Sequence, residues 1–240
     1  MKSDILVFLP TYNERENLPV LAERLFALPY DLSILVVDDM SPDGTGEVAE
    51  ELARKYEGRV RTIHRDGPRG RGKAGIAGLS EASRSGCRFV VEMDADLSHD
   101  PADLPQLLEA AQEADVVIGS RYIQGGSAEQ FGLLRSLNSK TARWLSVLFL
   151  GLNYTDPTSG YRVYRREALE CLPWDAMISD GPSIVEETLY YLKRNGARIV
   201  ERPIFYRQRG AGTTKITPWI IMRWIAAMMR IRRAANRRKI

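Results

Sequence analysis

The sequence predicts an α/β fold with a mostly parallel central sheet and helices on both faces. Short runs rich in β-branched residues alternate with helical patterns through the first half of the chain, and this alternation is typical of parallel βαβ units. Polar motifs directly follow the strands, where such sheets bind ligands. Hydrophobic residues form 44% and charged residues 27% of the 240 residues, which excludes a disordered or fibrous protein.

The same patterns give the order of the elements. In the first half, strands are predicted at residues 5–9, 33–38, 60–63, 89–93 and 116–118. Helices are predicted between them at residues 16–27, 47–56, 74–85 and 104–112. The second half is less regular, with helices at 133–150 and 183–193, a strand at 160–164 and an edge strand at 199–206. A flexible loop at 210–214 precedes a last helix, which Thr217 caps and Pro218 begins.

The charge is distributed unevenly. The net charge is +3, but residues 202–240 contain eleven Lys and Arg and no acid, so the preceding part carries −8. A basic tail indicates an anionic partner, either nucleic acid or the inner leaflet of a membrane. The body has no matching basic region, which argues against nucleic acid. The heptad-spaced Arg223, Arg230 and Arg237 opposite an apolar side favour a helix in the membrane surface over one packed on the domain.

Cysteine usage and hydropathy predict the compartment. Cys87 and Cys171 have no paired spacing, so we expect no disulfide and a reducing environment. The sequence shows no signal peptide and no apolar run of the roughly 20 residues that span a bilayer. We therefore expect a cytoplasmic protein that is peripheral on the cytoplasmic face of a membrane.

Asp94 and Asp96 follow the fourth predicted strand. Carboxylates at i and i+2 point the same way and can hold one Mg²⁺ or Mn²⁺ together with water and a pyrophosphate. The alternative is a capped turn with two solvated acids. An EF-hand is excluded because His99 stands at its required Gly and Pro105 at its terminal Glu.

A second acidic pair, Asp38 and Asp39, ends the second strand. This region is typical of a helix cap, and residues 43–45 (DGT) suit that role. The alternative is that one carboxylate accepts a hydrogen bond from the ribose or base of a nucleotide. The local sequence favours the cap.

Glycine-rich and basic segments indicate phosphate binding. Residues 67–73 (GPRGRGK) nearly match a P-loop, but Ala74 replaces the Ser or Thr that would bind Mg²⁺. An ATPase site is therefore excluded, although backbone N–H groups there can still contact phosphate. Arg121 follows a strand, and Arg209 and Lys215 flank the glycine loop. Together they can form an electrostatic clamp around phosphates.

Taken together, these motifs resemble the family 2 glycosyltransferases with a GT-A fold, and in particular the dolichyl-phosphate (polyprenyl-phosphate) mannose synthases. The matching segments, in chain order, are residues 10–14 (PTYNE), 36–39 (VVDD), 41–45 (SPDGT), 93–99 (MDADLSH) with Pro101, 119–122 (GSRY), Asp156 with 159–161 (SGY), Glu187, and 209–215. One such motif is weak, whereas the ordered set over about 200 residues is highly specific.

The resemblance implies a Rossmann-like GT-A catalytic domain over residues 1–215, followed by a basic amphipathic, membrane-surface helix over 216–240. It implies Mg²⁺ or Mn²⁺ as cofactor, GDP-mannose as donor, and dolichyl or another polyprenyl phosphate as acceptor. A membrane surface is the expected partner, a small membrane-protein subunit is a further one that the resemblance allows, and nucleic acid is not expected.

The resemblance also implies a role for each matching residue. The nucleotide pocket comprises Pro10, Tyr12, Glu14, Val37 and Asp39. Asp94 and Asp96 hold the metal, and Ala95 and Ser98 lie against donor or metal. The acceptor phosphate is met by Arg121, Arg135, Arg209 and Lys215. The donor diphosphate is met by Arg121, Arg209 and Lys215, which with Asp96 form the catalytic group.

Two features depart from the family pattern. Arg71 and Lys73 stand where the family usually has Leu and Thr, and Thr214 replaces a Ser but keeps its hydroxyl. The expected reaction is inversion by direct displacement. A lipid monophosphate has a second pKa of about 6 and needs no general base. UDP-glucose is the alternative donor. A nucleotidyltransferase is the alternative from another class, but residues 11–14 (TYNE) lack the glycine-rich, basic loop it needs.

Overall fold

The computed structural model describes residues 3–128, 133–207 and 218–237, without the side chains of residues 128, 133–140 and 218–221. The strands are β1 (Ile5–Thr11), β2 (Leu32–Asp38), β3 (Val60–His64), β4 (Phe89–Glu92), β5 (Val116–Ser120), β6 (Ser127–Ala128), β7 (Arg162–Arg165), β8 (Ile199–Pro203) and β9 (Phe205–Tyr206). The α-helices are α1 (Asn17–Phe26), α2 (Thr45–Lys55), α3 (Arg71–Ser83), α4 (Leu104–Ala111), α5 (Leu133–Leu150), α6 (Arg166–Glu170), α7 (Ile184–Arg194) and α8 (Pro218–Arg237).

Seven strands form one sheet in the order β3-β2-β1-β4-β7-β5-β8. All neighbours are parallel except β7, which runs antiparallel to both β4 and β5. A small second sheet pairs β6 with β9. The α/β fold predicted from the sequence is confirmed. Because β1 lies between β2 and β4, the carboxyl ends of these three strands meet at one edge of the sheet.

The sheet is buried between two apolar clusters, one on each face. Odd-numbered residues of β1 pack with α1, α2 and α4, whereas Leu6 and Phe8 pack with α3 and α7. This division follows from the two-residue side-chain period of a strand. A Cβ atom on Gly78 of α3 would lie 2.0 Å from the ring of Phe8, so glycine is required for α3 to approach the sheet this closely.

Several elements differ in their boundaries from the sequence prediction. Helix α3 begins at Arg71 rather than at residue 74. The predicted edge strand 199–206 divides into β8 and β9, because after Pro203 the chain leaves β5 and pairs with β6. Helix α6 and strand β6 were not predicted. The loop at 210–214 and the cap at Thr217 lie outside the described residues.

Helix α8 packs on the body of the protein. Its buried side chains Met228, Ile231 and Ala235 join the cluster that contains Leu150 of α5 and Tyr191 of α7. The sequence predicted that the apolar side of this helix lies in a membrane surface. Met228 and Ile231 belong to that side but contact protein, so any lipid-facing side has to be formed by other residues. Within residues 3–128, 133–207 and 218–237, no helix is long and apolar enough to cross a bilayer.

Candidate active site

A cavity of about 730 Å³ lies at the carboxyl ends of β1, β2 and β4. It contains seven of the residues that the sequence assigned to the site: Pro10, Tyr12, Glu14, Asp39, Asp94, Ala95 and Asp96. Residues distant in sequence thus meet at the edge where parallel strands end, as expected for an open α/β sheet. Val37 does not line this cavity, because its side chain is fully buried in the core.

The loop after β4 is held by its own hydrogen bonds. Asp96 Oδ1 accepts hydrogen bonds from the backbone N–H of Ser98 at 3.1 Å and from its hydroxyl at 2.5 Å. Leu97 has a φ of 61°, in the left-handed region that is costly for a bulky residue. Ser98 is buried and holds Asp96 from behind rather than lining the cavity. The loop therefore presents the carboxylate of Asp96 in a fixed orientation.

His99 supports the other aspartate. The backbone N–H of Asp94 donates to His99 Nδ1 at 3.1 Å, and the imidazole stacks on Tyr161 with ring centroids 5.1 Å apart. Burial lowers the pKa of His99, against the opposing effect of Asp94 and Asp96. Because Nδ1 accepts a hydrogen bond, we assign a neutral imidazole to His99. Its contribution is to position the backbone of Asp94.

The donor atoms at this site fit a hard divalent cation. Among the described residues, no three His, Cys, Asp or Glu side chains converge to form a closed metal cage. Asp94 and Asp96 instead line the cavity as a pair of oxygen ligands. Mg²⁺ and Mn²⁺ are typically held by one or two carboxylates, with water and substrate phosphates completing the coordination. The two residues therefore suit a metal that binds together with a phosphate ligand.

The carboxylates at the end of β2 are engaged by the protein. Asp38 accepts hydrogen bonds from the hydroxyls of Thr11 at 3.2 Å and Ser41 at 2.5 Å. Asp39 lines the cavity, but one of its oxygens accepts from the backbone N–H of Gly70 at 2.6 Å and the other pairs with Arg65. Asp39 therefore fixes the loop between β3 and α3 as well as facing the cavity.

Gly44, with a φ of 93°, is the cap residue of α2, and no side-chain hydrogen bond is made at the cap position. The side chain of the predicted cap segment that bonds the start of α2 is that of Asp43, one position earlier. Its Oδ1 accepts from the backbone N–H of Thr45 at 3.0 Å and from the Thr45 hydroxyl at 2.6 Å. Thr45 is the first residue of α2. The same hydroxyl accepts from the backbone N–H of Glu14 at 2.9 Å, so the start of α2 supports the β1 loop that lines the cavity.

Two arginines line the cavity without having been predicted as site residues: Arg69 in the loop between β3 and α3, and Arg71 at the start of α3. Arg69 contacts the hydroxyl and the ring of Tyr12 at the cavity mouth. Arg71 Nη2 lies 2.8 Å from Glu92 Oε1 and 3.5 Å from Asp94 Oδ1. The departure of Arg71 from the family pattern was the feature of the sequence that could have identified it.

The predicted phosphate clamp is only partly described. Arg121 is held by Asp156 through Nε at 2.6 Å and Nη2 at 2.7 Å, and its side chain is 11% exposed. Arg121 is not among the cavity-lining residues. Arg209 and Lys215 lie outside the described residues, and so does the side chain of Arg135. The contact of these four cations with phosphate stays a prediction.

Comparison with known proteins identifies related sequences. A model of the family described as glycosyl transferase family 2 matches residues 6–173. The polyprenol monophosphomannose synthase of Mycolicibacterium smegmatis is 44% identical over 213 residues, which cover 88% of this chain and 80% of that protein. The undecaprenyl-phosphate mannosyltransferase of Micrococcus luteus is 41% identical over 217 residues, covering 90% of this chain and 89% of that protein.

The fold is also found in a solved structure. Glucosyl-3-phosphoglycerate synthase from Mycobacterium tuberculosis, in complex with Mn²⁺, UDP and phosphoglyceric acid, superimposes with a TM-score of 0.68. The match covers 96% of this chain and 78% of that chain at 21% sequence identity. At this identity the likeness concerns the fold alone, and it confirms the GT-A architecture expected from the sequence.

Proposed function

Because this chain belongs to glycosyl transferase family 2, we propose that it transfers mannose from GDP-mannose to a polyprenyl or dolichyl monophosphate, with inversion. The names of the relatives at 44% and 41% identity support the sugar and the acceptor class. The observation that carries the proposal is the pair Asp94 and Asp96, which share a cavity with the nucleotide-pocket residues Tyr12, Glu14 and Asp39.

The cavity has a nucleotide end and a metal end. At the first, we assign to Tyr12 and Asp39, which both line the cavity, the contacts with the base and ribose of the donor. At the second, Asp94 and Asp96 would hold Mg²⁺ or Mn²⁺, and such a cation neutralises charge on the leaving diphosphate. We infer that the sugar lies beyond the metal end, where an acceptor phosphate can approach its anomeric carbon.

The acceptor supplies its own nucleophile. A phosphate monoester has a second pKa of about 6 and is largely ionised near neutral pH. The attacking oxygen forms the new bond to the anomeric carbon while the bond to the diphosphate breaks, so no side chain has to remove a proton. The protein's contribution is to hold two anionic groups in line, which requires cations. We assign that role to Arg121, Arg135, Arg209 and Lys215.

We further propose that the enzyme acts at the cytoplasmic face of a membrane, where a long-chain lipid phosphate is available. The exposed arginines of α8, among them Arg223, Arg230 and Arg233, are suited to an anionic leaflet. Exposed Trp144 and Leu148 of α5 add apolar groups on the helix that α8 packs against.

A donor screen tests the proposal. Purified full-length protein is incubated with polyprenyl phosphate, Mg²⁺ or Mn²⁺, and either radiolabelled GDP-mannose or UDP-glucose. We expect label in the lipid fraction with GDP-mannose, and tighter binding of GDP than of UDP by calorimetry. Transfer from UDP-glucose with tighter UDP binding would establish the glucosyl alternative instead.

A further inference from the structure

The guanidinium of Arg71 links a buried carboxylate to one that faces the cavity. Its Nη2 lies 2.8 Å from Glu92 Oε1 and 3.5 Å from Asp94 Oδ1. The Glu92 side chain is 1% exposed, and its other oxygen accepts from the hydroxyl of Tyr164 at 2.8 Å. The Asp94 side chain is 38% exposed. Arg71 therefore has a protein anchor on one side and a predicted metal ligand on the other.

Arg71 is a permanent cation in this position. Burial alone would lower its pKa, but the charges of Glu92 and Asp94 raise it. Burial also raises the pKa of Tyr164, so its hydroxyl stays protonated and donates to Glu92. A charged Arg71 thus compensates the buried charge of Glu92 while its guanidinium also faces Asp94.

Close backbone packing at the start of α3 fixes the backbone position of Arg71. A Cβ atom on Gly70 would lie 2.2 Å from the carbonyl oxygen of Asp180, and one on Gly72 would lie 2.3 Å from that of Ser179. The N–H of Gly72 also donates to the carbonyl of Asp180 at 3.1 Å. The helix start is therefore clamped against residues 179–180, and Arg71 has little freedom to withdraw.

We propose that Arg71 is a positioning residue that makes metal binding at Asp94 and Asp96 depend on the nucleotide diphosphate. A fixed cation 3.5 Å from Asp94 offsets part of the negative charge that a metal would meet, and it repels a second cation at short range. The diphosphate brings the negative charge that compensates this repulsion. The inference rests on the proposed function, because it takes the nucleotide diphosphate as the co-ligand.

Substitution of Arg71 by Leu, the residue usual in the family, tests the inference. We expect Arg71→Leu to bind Mn²⁺ without nucleotide about tenfold more tightly than wild type, because the repelling charge is gone. The increase in Mn²⁺ affinity on adding GDP or UDP should shrink correspondingly. Arg71→Lys keeps the charge and should keep the nucleotide dependence of the wild type.

A second variant separates a change in Mn²⁺ binding from a loss of stability. Arg71→Leu leaves Glu92 buried without its charged partner, which is destabilising. Arg71→Leu/Glu92→Gln removes both charges and should recover thermal stability while keeping the tighter Mn²⁺ binding. Arg61→Leu is the matched control, since Arg61 pairs with Glu81 of the same helix but does not line the cavity. It should leave Mn²⁺ binding unchanged.

Electron paramagnetic resonance of free Mn²⁺, titrated into the full chain with and without GDP or UDP, gives the affinities, and circular dichroism melts report folding. If both Leu variants stay folded and show the nucleotide dependence of the wild type, the inference about Arg71 is wrong and the proposed function is unaffected. If the wild type binds no Mn²⁺ with either nucleotide, the proposed metal site fails and the inference falls with it. Tighter, less nucleotide-dependent Mn²⁺ binding in both variants supports the inference.

Discussion

The ends of β2 and β4 flank β1, and each has a pair of aspartates, but the two pairs have different surroundings. Asp38 and Asp39 are bonded to hydroxyl, backbone and guanidinium groups of neighbouring loops. Asp94 and Asp96 both line the cavity. In the pair after β2, Asp38 supports the loops behind the cavity and only Asp39 faces it, whereas both members of the pair after β4 face the cavity.

Spacing accounts for the different contacts of the two members of the first pair. Adjacent residues such as Asp38 and Asp39 point to opposite sides of an extended chain, whereas residues at i and i+2 point to the same side. Asp38 accordingly contacts β1 and the turn at Ser41, and Asp39 contacts the loop before α3. Adjacent acids at a strand end are thus divided between two surroundings, and here Asp39 is the one that faces the cavity.

The largest expected effect is at the end of β4. We predict that Asp96→Ala reduces transfer by more than about a hundredfold, because the leaving diphosphate loses its metal-mediated stabilisation. Asp94→Ala should act similarly. Radiolabelled transfer to polyprenyl phosphate measures the loss, and circular dichroism should show an unchanged fold. Near-wild-type turnover of folded Asp96→Ala in Mn²⁺ would show that this carboxylate does not hold the metal.

The next largest effect is expected for two basic residues that we assign to the substrate phosphates. Arg209→Ala and Lys215→Ala should each reduce transfer to lipid phosphate more than they reduce donor binding. Both residues flank a glycine-rich segment of the sequence, and the family resemblance assigns them to the phosphates of donor and acceptor. Calorimetry with GDP and steady-state kinetics with lipid phosphate separate the two effects. Equal losses of GDP affinity and of turnover would place both residues on the donor diphosphate alone.

A third experiment probes the β2 end directly. Asp38→Ala removes the acceptor of the Thr11 and Ser41 hydroxyls and of the Ser41 backbone N–H. Loss of these hydrogen bonds should lower the free energy of unfolding by about 1–3 kcal/mol, while Mn²⁺ binding with GDP is retained. Urea unfolding measures the first quantity and paramagnetic resonance the second. Loss of Mn²⁺ binding without loss of stability would reverse the roles assigned to the two strand ends.

How far the sequence predicts this molecule depends on whether the relevant contacts are local. The alternation of strands and helices is local, and so is the position of Asp94 and Asp96 after a strand, and both were predicted. The antiparallel insertion of β7 between β4 and β5 pairs residues about 70 positions apart, such as Val91 with Val163. No local pattern specifies that pairing.

The contacts of Arg71 and α8 were missed for related reasons. The sequence placed Arg71 in a loop, three residues before the predicted helix, so its reach to Glu92 and Asp94 was not visible. For α8, an apolar stripe opposite arginines is typical both of a helix packed on protein and of one in a membrane surface. Only the packing of Met228 and Ile231 in one cluster with α5 and α7 shows that these two residues contact protein.

The smallest effect on the transfer reaction is expected for changes in α8. This helix is basic, whereas the ends of β2 and β4 are acidic. Deleting residues 218–240 would uncover the core around Met228 and Ile231, so charge reversal is the cleaner test. Arg223, Arg230 and Arg233 are exposed, and each contributes roughly 1 kcal/mol near an anionic surface. The triple change to Glu should therefore release the protein from anionic vesicles at low salt.

The same variant should raise the apparent KM for long-chain lipid phosphate, while activity on a short, water-soluble polyprenyl phosphate is largely retained. Arg54→Glu/Lys55→Glu/Arg84→Glu makes the same change in net charge at exposed positions of the body and should leave vesicle binding nearly intact. Co-sedimentation with anionic vesicles at low and high salt compares the two. If the α8 variant pellets as well as wild type, α8 does not provide the electrostatic anchor. Among the residues that the structure describes, the next candidates are then the exposed Trp144 and Leu148 of α5, whose apolar contribution is insensitive to salt.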